Sequence, residues 1–336
     1  MEYPMTKVRW GLLSTANINK RLIPAIRASE RGELVAVASR RQDAADAYAA
    51  EWGIPRAFGS YGAMLASGEV DAVYIGLPNH LHADWTVRAL EHGVHVLCEK
   101  PFALTLADVD RMADAARDNG RVLAEAFMYR HHPQTKAAGE WVRAGRLGAV
   151  SLFRGTFSFT LTDPRNVRLI PEWGGGSLWD IGVYPISFAQ YIMGGPPEWV
   201  FGDQRRGGAG VDVAFSGTLH YADGGMAQIS SAFDVPWYTH VDVLGERGRL
   251  VLNRPFTGLE AGQRQLTFVD DKGNAEEVPV EEQELYSGEV EDMHDAILDG
   301  RPPYLGLDET RHHVRTVLAL YESARRGERV YVEEIS

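Results

Sequence analysis

The sequence predicts an α/β chain in two parts: a doubly wound parallel sheet, then an α+β domain built on an open, mostly antiparallel sheet. Three observations predict it. The chain has 336 residues, about twice the ~150 residues of a single domain. Up to residue 126, apolar runs alternate with amphipathic stretches, the pattern of parallel strands joined by helical crossovers. After Tyr129 the pattern turns to alternating apolar and polar positions broken by tight-turn signals, as in antiparallel hairpins. The expected domains are therefore 1–127 and 128–336.

In chain order, residues 8–13 (VRWGLL) read as a strand and 18–29 as a helix. A strand over 33–39 (ELVAVAS), an alanine-rich helix over 43–52 and a short apolar piece around Ala57 follow. Residues 71–77 (DAVYIGL) are a nearly continuous apolar run, as expected of a strand covered on both faces. A helix over 83–92 leads to a strand over 94–98, and a helix over 106–119 to a strand over 121–126. The second part opens with a helix over 135–144. Strands are expected over 150–160, 199–202, 211–221, 226–233, 239–245, 249–252 and 265–269, with turns at Asp223-Gly224-Gly225 and Glu246-Arg247-Gly248. A glycine-rich entry and helix over 174–193 interrupt this sheet early. A helix over 308–325 closes the chain and is expected to pack back near the domain junction. The sequence has no internal repeat and no low-complexity segment.

Charge narrows the function. Lys+Arg number 34 and Asp+Glu 46, a net charge of −12. Such a surface argues against a nucleic-acid backbone, which needs a basic face, and against an anionic membrane. A polyanionic cofactor would need a local exception. The single cysteine, Cys98, excludes an internal disulfide framework and a cysteine-based metal cluster, which fits a cytoplasmic protein. Its apolar neighbours suggest a buried strand thiol. No secretion signal is expected in residues 1–10, which lack an apolar h-region. The uncharged stretch 181–197 is broken by Pro185, Gly194, Gly195 and Pro196, so no membrane span is expected there.

The turn after the first strand is where a dinucleotide's pyrophosphate would lie, over the free N–H groups of a helix start. Here the residues are Ser14, Thr15, Ala16, Asn17 and Ile18. Laid on Ser14, Ala16 and Asn19, the G-x-G-x-x-G fingerprint finds no glycine, so a plain helix N-terminus capped by Ser14 or Asn17 stays open. The turn's position after the first strand favours cofactor binding. The second strand ends in Ser39-Arg40-Arg41 rather than the carboxylate that accepts a ribose 2′-hydroxyl. Guanidinium groups there suit a 2′-phosphate, so NADP is expected, with NAD still possible.

Two further segments concentrate reactive groups. Leu97-Cys98-Glu99-Lys100-Pro101 lies at the C-terminal edge of a parallel strand, where such sheets hold ligands. In the run from Trp173 to Tyr184, Asp180 and Tyr184 are four residues apart and would share a helix face.

These segments carry a resemblance covering essentially the whole chain. Pro78-Asn79-His80-Leu81-His82, Glu99-Lys100-Pro101, the run Glu125 to Arg130, and Gly174 to Tyr184 followed by Pro185 resemble the family of glucose–fructose oxidoreductase, inositol dehydrogenase and the rhizopine-catabolism proteins. The branch most similar is that of NADP-dependent xylose dehydrogenases, 1,5-anhydrofructose reductases and dimeric dihydrodiol dehydrogenases. The resemblance implies an N-terminal Rossmann domain and hydride transfer between NADP(H) and a sugar, polyol or keto-sugar. It makes Lys100 the catalytic lysine, Asp180 the substrate-orienting carboxylate and Tyr184 the acid–base. It adds Leu77, Pro78, Asn79, His82, Glu99 and Lys100 to the cofactor side. It also implies homodimers or homotetramers packed through the open sheet, where Phe157, Phe159, Phe215 and Trp237 would need cover. The degenerate glycine turn departs from the family's usual form.

A phenol ionises near pH ~10, and a nearby ammonium favours the phenolate, which gives Lys100 and Tyr184 complementary roles. Tyr129, Arg130, Phe159, Asn166, Arg168 and Trp179 are candidates for substrate contact. His80 and His82 have the spacing of a metal pair but lack a third ligand, so no metal is expected. Two other functions remain open: an NAD-dependent glycosidase using a transient oxidation, which Arg40 and Arg41 oppose, and a non-catalytic NADP-sensing protein, which Lys100, Asp180 and Tyr184 oppose.

Overall fold

A computed structural model describes residues 7–257 and 263–336; residues 1–6, part of the stretch expected to lack a secretion signal, lie outside it. The chain forms two compact units, Met1–His131 with Glu284–Thr310, and His132–Gln283 with Arg311–Ser336.

In the first unit, strands and helices alternate: β1 (Val8–Leu13), α1 (Asn19–Ala28), β2 (Gly32–Ala38), α2 (Gln42–Trp52), β3 (Arg56–Phe58), α3 (Tyr61–Ala66), β4 (Ala72–Ile75), α4 (His82–Glu91), β5 (His95–Glu99), α5 (Leu106–Asp118) and β6 (Leu123–Ala126). Among the described residues these strands make a six-stranded parallel sheet in the order β3-β2-β1-β4-β5-β6. The order is that of dinucleotide-binding sheets, with the direction of winding reversed between β1 and β4. Central strands buried on both faces explain the continuous apolar runs: every residue of β4 is buried, as are Trp10, Leu12 and Leu13 of β1. Gly53, at φ 58°, ends α2, and the Thr105 side chain caps α5 by accepting the Asp108 N–H. Cys98 is buried, which pushes its thiol pKa up.

The second unit holds α6 (Pro133–Arg143), β7 (Val150–Ser158), α7 (Val183–Met193), β8 (Trp199–Arg206), β9 (Asp212–His220), β10 (Met226–Ala232), β11 (Tyr238–Gly245), β12 (Gly248–Asn253), β13 (Leu266–Asp270) and β14 (Ala275–Val278). With a short last strand, β15 (Val330–Tyr331), they form a sheet ordered β14-β13-β12-β11-β7-β10-β9-β8-β15. It is antiparallel apart from the β7–β10 pair. α7 covers one face, its Phe188 ring 5.7 Å from that of Phe153. Gly155 allows this approach, because a Cβ there would stand 2.7 Å from Pro185.

The uncovered face differs from expectation. Phe157 and Phe215 point to the covered side, 7% and 2% exposed. Phe159 packs on Phe233, whereas Trp237 remains 46% exposed beside the Arg254 guanidinium, as expected. Strand alternation instead places Arg154, Thr156, Ser216, Gln228, His240 and Asp242 outward, lining a shallow cleft of about 520 Å³ that also includes Phe201 and Ile229.

Two elements remain, α8 (Ser287–Leu298) and α9 (Leu307–Arg326). The expected boundaries assign 284–310 to the second domain, whereas this segment belongs to the first unit. α8 packs on α1 and β1. Trp10 Nε1–H donates to His294 Nε2 at 2.9 Å, and Arg31 pairs with Asp295 at 2.5 Å and Asp299 at 2.9 Å. A Cβ on Gly32 would stand 2.9 Å from the His294 ring. Among the described residues, no helix is long and apolar enough to cross a membrane.

Three histidines act as hydrogen-bond acceptors. His95 Nδ1 accepts from the Val122 N–H at 2.8 Å, His132 Nδ1 from the Gln134 N–H at 3.1 Å, and His294 Nε2 from Trp10. Burial holds all three below the ordinary histidine pKa, His95 and His132 at about 4. The unfolded chain takes up these protons near pH ~6.5, so their stabilisation is complete above that value and is lost as pH falls toward about 4. The part of the pH dependence owed to these rings is therefore expected to shrink in His95→Gln, whose urea midpoint should lose less than that of wild type between about pH 7 and pH 4.5. The same pH dependence in both proteins would refute the account.

Candidate active site

The turn from β1 to α1 takes a glycine-like shape without glycine. Ser14 has φ 128°, a conformation that costs a non-glycine residue about 1–3 kcal/mol. Hydrogen bonds lock it: Ser14 Oγ–H donates to Gly76 O at 3.1 Å and Oγ accepts from the Ala16 N–H at 3.3 Å, while Asn19 Nδ2–H donates to Ser14 O at 2.8 Å. A Cβ on Gly76 would fall 3.1 Å from Ile18 Cγ2, so the β4 exit lies close against this turn. Thr15, Ala16 and Ile18 are half-buried and Asn17 is exposed. The first turn of α1 carries no acidic residue and no side-chain cap, and its Asn19, Lys20 and Arg21 N–H groups donate to Ala16, Asn17 and Ile18 O, so an anion there would meet the N–H groups of the turn ahead of the helix. The backbone thus fits a dinucleotide pyrophosphate although the fingerprint glycines are missing.

At the β2 exit, Ser39 is half-buried while Arg40 and Arg41 are exposed. Arg41 donates to both carboxylate oxygens of Asp43, at 3.1 and 3.0 Å. A pair this exposed is weak, yet it occupies the Arg41 guanidinium. Arg40 is the better phosphate ligand of the two.

At the β4 exit, Leu77 is buried and Pro78 and Asn79 are half-buried ahead of a short 3-10 turn, Asn79–Leu81. His82, expected on the cofactor, has 0% exposure. Its Nδ1 lies 2.8 Å from Pro101 O and its Nε2 2.8 Å from Leu77 O. Both ring nitrogens are engaged by backbone, which removes it from direct cofactor contact and from a metal pair. Glu99 is corrected in the same way. Its buried carboxylate accepts the Tyr74 hydroxyl on Oε1 and the Lys100 N–H on Oε2 at 3.1 Å. Lys100 is half-buried, and its peptide bond to Pro101 is cis. Glu125, fully buried with its pKa raised by desolvation to about 8, accepts the Phe102 N–H at 3.2 Å and the Thr310 hydroxyl at 3.0 Å.

In the second unit, the glycine-rich entry runs through Gly174 (φ 76°) and Gly176 (φ 125°) into a π-helical turn, Leu178–Gly182, that continues as α7. Asp180 and Tyr184 therefore sit on a widened turn and the helix after it, not on one regular α-helix; such turns are frequent at functional sites. Asp180 accepts from Arg168 Nε–H at 2.5 Å. Asn166 Oδ1 accepts the Arg168 backbone N–H at 3.1 Å, and the guanidinium lies 6.0 Å from the Phe159 ring centre. Four expected substrate residues, Phe159, Asn166, Arg168 and Asp180, are thus brought together. Tyr184 is buried beside Phe157 and Phe256, with ring centres 5.4 and 5.6 Å away. Trp179 packs against Tyr321 at 5.9 Å.

Tyr129 and Arg130 are not offered to a substrate. Both are fully buried, Tyr129 against Phe127 and Arg130 in a 2.5 Å ion pair with Glu309. Sequence reasoning missed Asp212, on β9. Its buried carboxylate accepts from Ser177 Oγ–H and Leu178 N–H, both at 2.8 Å, and from the Tyr321 hydroxyl at 2.7 Å. It anchors the start of the turn that carries Asp180. Burial raises its pKa despite these donors. A lone Asp in a strand gives no sequence signal of this role.

Comparison with known proteins gives the family and the fold. Residues 8–127 match an oxidoreductase family with an NAD-binding Rossmann fold, and residues 135–251 match the GFO/IDH/MocA C-terminal domain. The chain is 40% identical to D-xylose 1-dehydrogenase (NADP(+)) 2 of Haloferax volcanii, over 96% of this chain and 99% of that protein. It is similar to a 3-ketoreductase from Actinomadura kijaniata in complex with NADP and TDP-benzene, with a TM-score of 0.89 and 31% identity over 95% of this chain and 98% of the other. It is also similar to an aldose-aldose oxidoreductase from Caulobacter crescentus, with a TM-score of 0.90 and 28% identity over 97% of this chain and 99% of the other.

A Cβ at Gly176 would lie 2.1 Å from Asp212 Oδ1, in a backbone conformation L residues avoid. Gly176→Ala and Asp212→Asn are each expected to lower unfolding free energy by about 1–3 kcal/mol. Denaturant titration measures this, and wild-type stability in both variants would remove Asp212 as the anchor.

Proposed function

Because the chain belongs to the Gfo/Idh/MocA family of oxidoreductases, we propose that it moves a hydride between NADP(H) and a sugar, polyol or keto-sugar. The observation that carries this reading is the cluster on and around the π-helical turn, where Asp180 is ion-paired to Arg168 and Tyr184 follows four residues on. Similarity to an NADP-dependent xylose dehydrogenase and an NADP-complexed 3-ketoreductase supports it.

Bound NADP(H) supplies or accepts the hydride. The Ser14–Ile18 turn and the N-terminus of α1 hold the pyrophosphate, Arg40 holds the 2′-phosphate with Ser39 beside it, and Leu77, Pro78 and Asn79 line the nicotinamide end. Tyr184 gives or takes the proton of the reacting oxygen. Lys100 brings positive charge to that oxygen. Asp180 and Arg168, with Asn166 and Phe159, orient the neighbouring hydroxyls by paired donors and acceptors. A nearly neutral ion pair suits an uncharged polyol, which needs directional hydrogen bonds more than net charge. The protein acts in the cytoplasm, a reading supported by its lone buried cysteine. It assembles as a homodimer or homotetramer through the open sheet face, where Arg154, Asp242 and the exposed Phe201 offer both charge and apolar area.

Tyr184→Phe is expected to lower kcat about 100-fold or more while NADPH binding, read by nicotinamide fluorescence, changes less than about twofold. Near-normal turnover would overturn the assignment of the acid–base. Arg40→Ala is expected to raise KM for NADP about 10- to 100-fold and to leave KM for NAD essentially unchanged, since only NADP carries the phosphate. Equal effects on both cofactors would remove Arg40 from the 2′-phosphate.

A further inference from the structure

The backbone around Lys100 is held by buried side chains as well as by its strand. The Lys100 N–H donates to Glu99 Oε2 at 3.1 Å and the Phe102 N–H to Glu125 Oε1 at 3.2 Å. The carbonyl between them, Pro101 O, lies 2.8 Å from His82 Nδ1. The other nitrogen of the same ring lies 2.8 Å from Leu77 O, in the exit of the neighbouring strand β4. β4 and β5 pair through Ile75 and Cys98, and beyond those residues no ladder joins the two exits.

We propose that His82 is a positioning residue: its imidazole is the strut that sets the separation of the β4 and β5 exits and so fixes where Lys100 stands relative to Leu77 and Pro78. Few side chains could replace it. The ring is rigid and its two nitrogens point in divergent directions, each 2.8 Å from a carbonyl oxygen; the neutral ring donates its single N–H to one of them, and the imidazolium donates to both. Its location at the first position of α4, with 0% exposure, leaves it no solvent to exchange with. Leucine fills similar volume and offers no donor, which would leave the carbonyl that accepts from His82 without that partner. Glutamine restores a donor on a longer, more flexible arm. The catalytic consequence rests on the role given to Lys100 above, but the strut itself does not.

Hydrogen exchange on the cofactor-free protein separates the two. In His82→Leu, the peptide spanning residues 99–105 is expected to exchange about tenfold faster than in wild type, with peptides from the second unit unchanged. His82→Gln is expected to recover part of that protection. In the loaded enzyme, kcat of His82→Leu is expected to fall about 10- to 100-fold, because small displacements of a reacting group are costly. NADPH affinity is expected to change less than about threefold, since His82 is not in contact with cofactor. Unchanged exchange over 99–105, or acceleration spread evenly over the whole chain, overturns the strut. A loss of NADPH affinity as large as the loss of kcat overturns it in favour of direct cofactor contact. Faster local exchange with wild-type kcat upholds the strut and overturns the role assigned to Lys100.

Discussion

The pairing of β1 with β2 on one side and β4 on the other is the constraint from which the first unit's chemistry follows. Winding reverses at that point, so the connections leave β1 and β4 toward opposite sides and their exits diverge. Peptide groups that pass beyond the last ladder position lose their sheet partners and must be satisfied in another way. Side chains do this at each exit. Ser14 reaches Gly76 O, Glu99 reaches the Lys100 N–H, and Glu125 reaches the Phe102 N–H. The cofactor and lysine loops are shaped by buried polar side chains on a rigid sheet.

The second unit solves the same problem with one carboxylate. A glycine-rich segment entering a π-helical turn leaves N–H groups without helical partners, and Asp212 accepts from Leu178 together with Ser177 and Tyr321. Gly176 has no side chain because the carboxylate stands where its Cβ would be. Rigidity at this point passes along the chain to Asp180 and Tyr184, and the proposed acid–base sits on a helix rather than a mobile loop.

Much of this was legible in the sequence because it rests on period. Runs such as AVYI in β4 are apolar throughout since both faces are covered, and β9 to β12 alternate since one face is. α8 was not legible. Its inward face carries Glu289 and His294 beside Val290 and Met293, so polar residues interrupt the apolar stripe that would mark a buried face. The short α3, β14 and β15 were too brief to show a period. At the site, residue types pointed to Lys100, Asp180 and Tyr184, but partners depend on three-dimensional neighbours. That Asp180 meets Arg168, that Arg41 is taken by Asp43, and that His82 and Glu99 face backbone and core are facts of packing without a linear signature. Ser14 was hidden for another reason. The motif specifies a residue type, whereas the ligand requires a backbone angle, and here serine adopts it.

The return of Glu284–Thr310 to the first unit means that the nucleotide-binding half is not one contiguous stretch of the gene. A single crossover between two diverged homologues anywhere from residue 132 to 283 would set Trp10 and Arg31 from one parent against the residues that the other places at His294 and Asp295. Such a product would inherit a mismatched core beneath its first strand. Exchange of the second unit alone requires three crossovers, because that unit is itself split into His132–Gln283 and Arg311–Ser336. The connectivity therefore couples the inheritance of the two units.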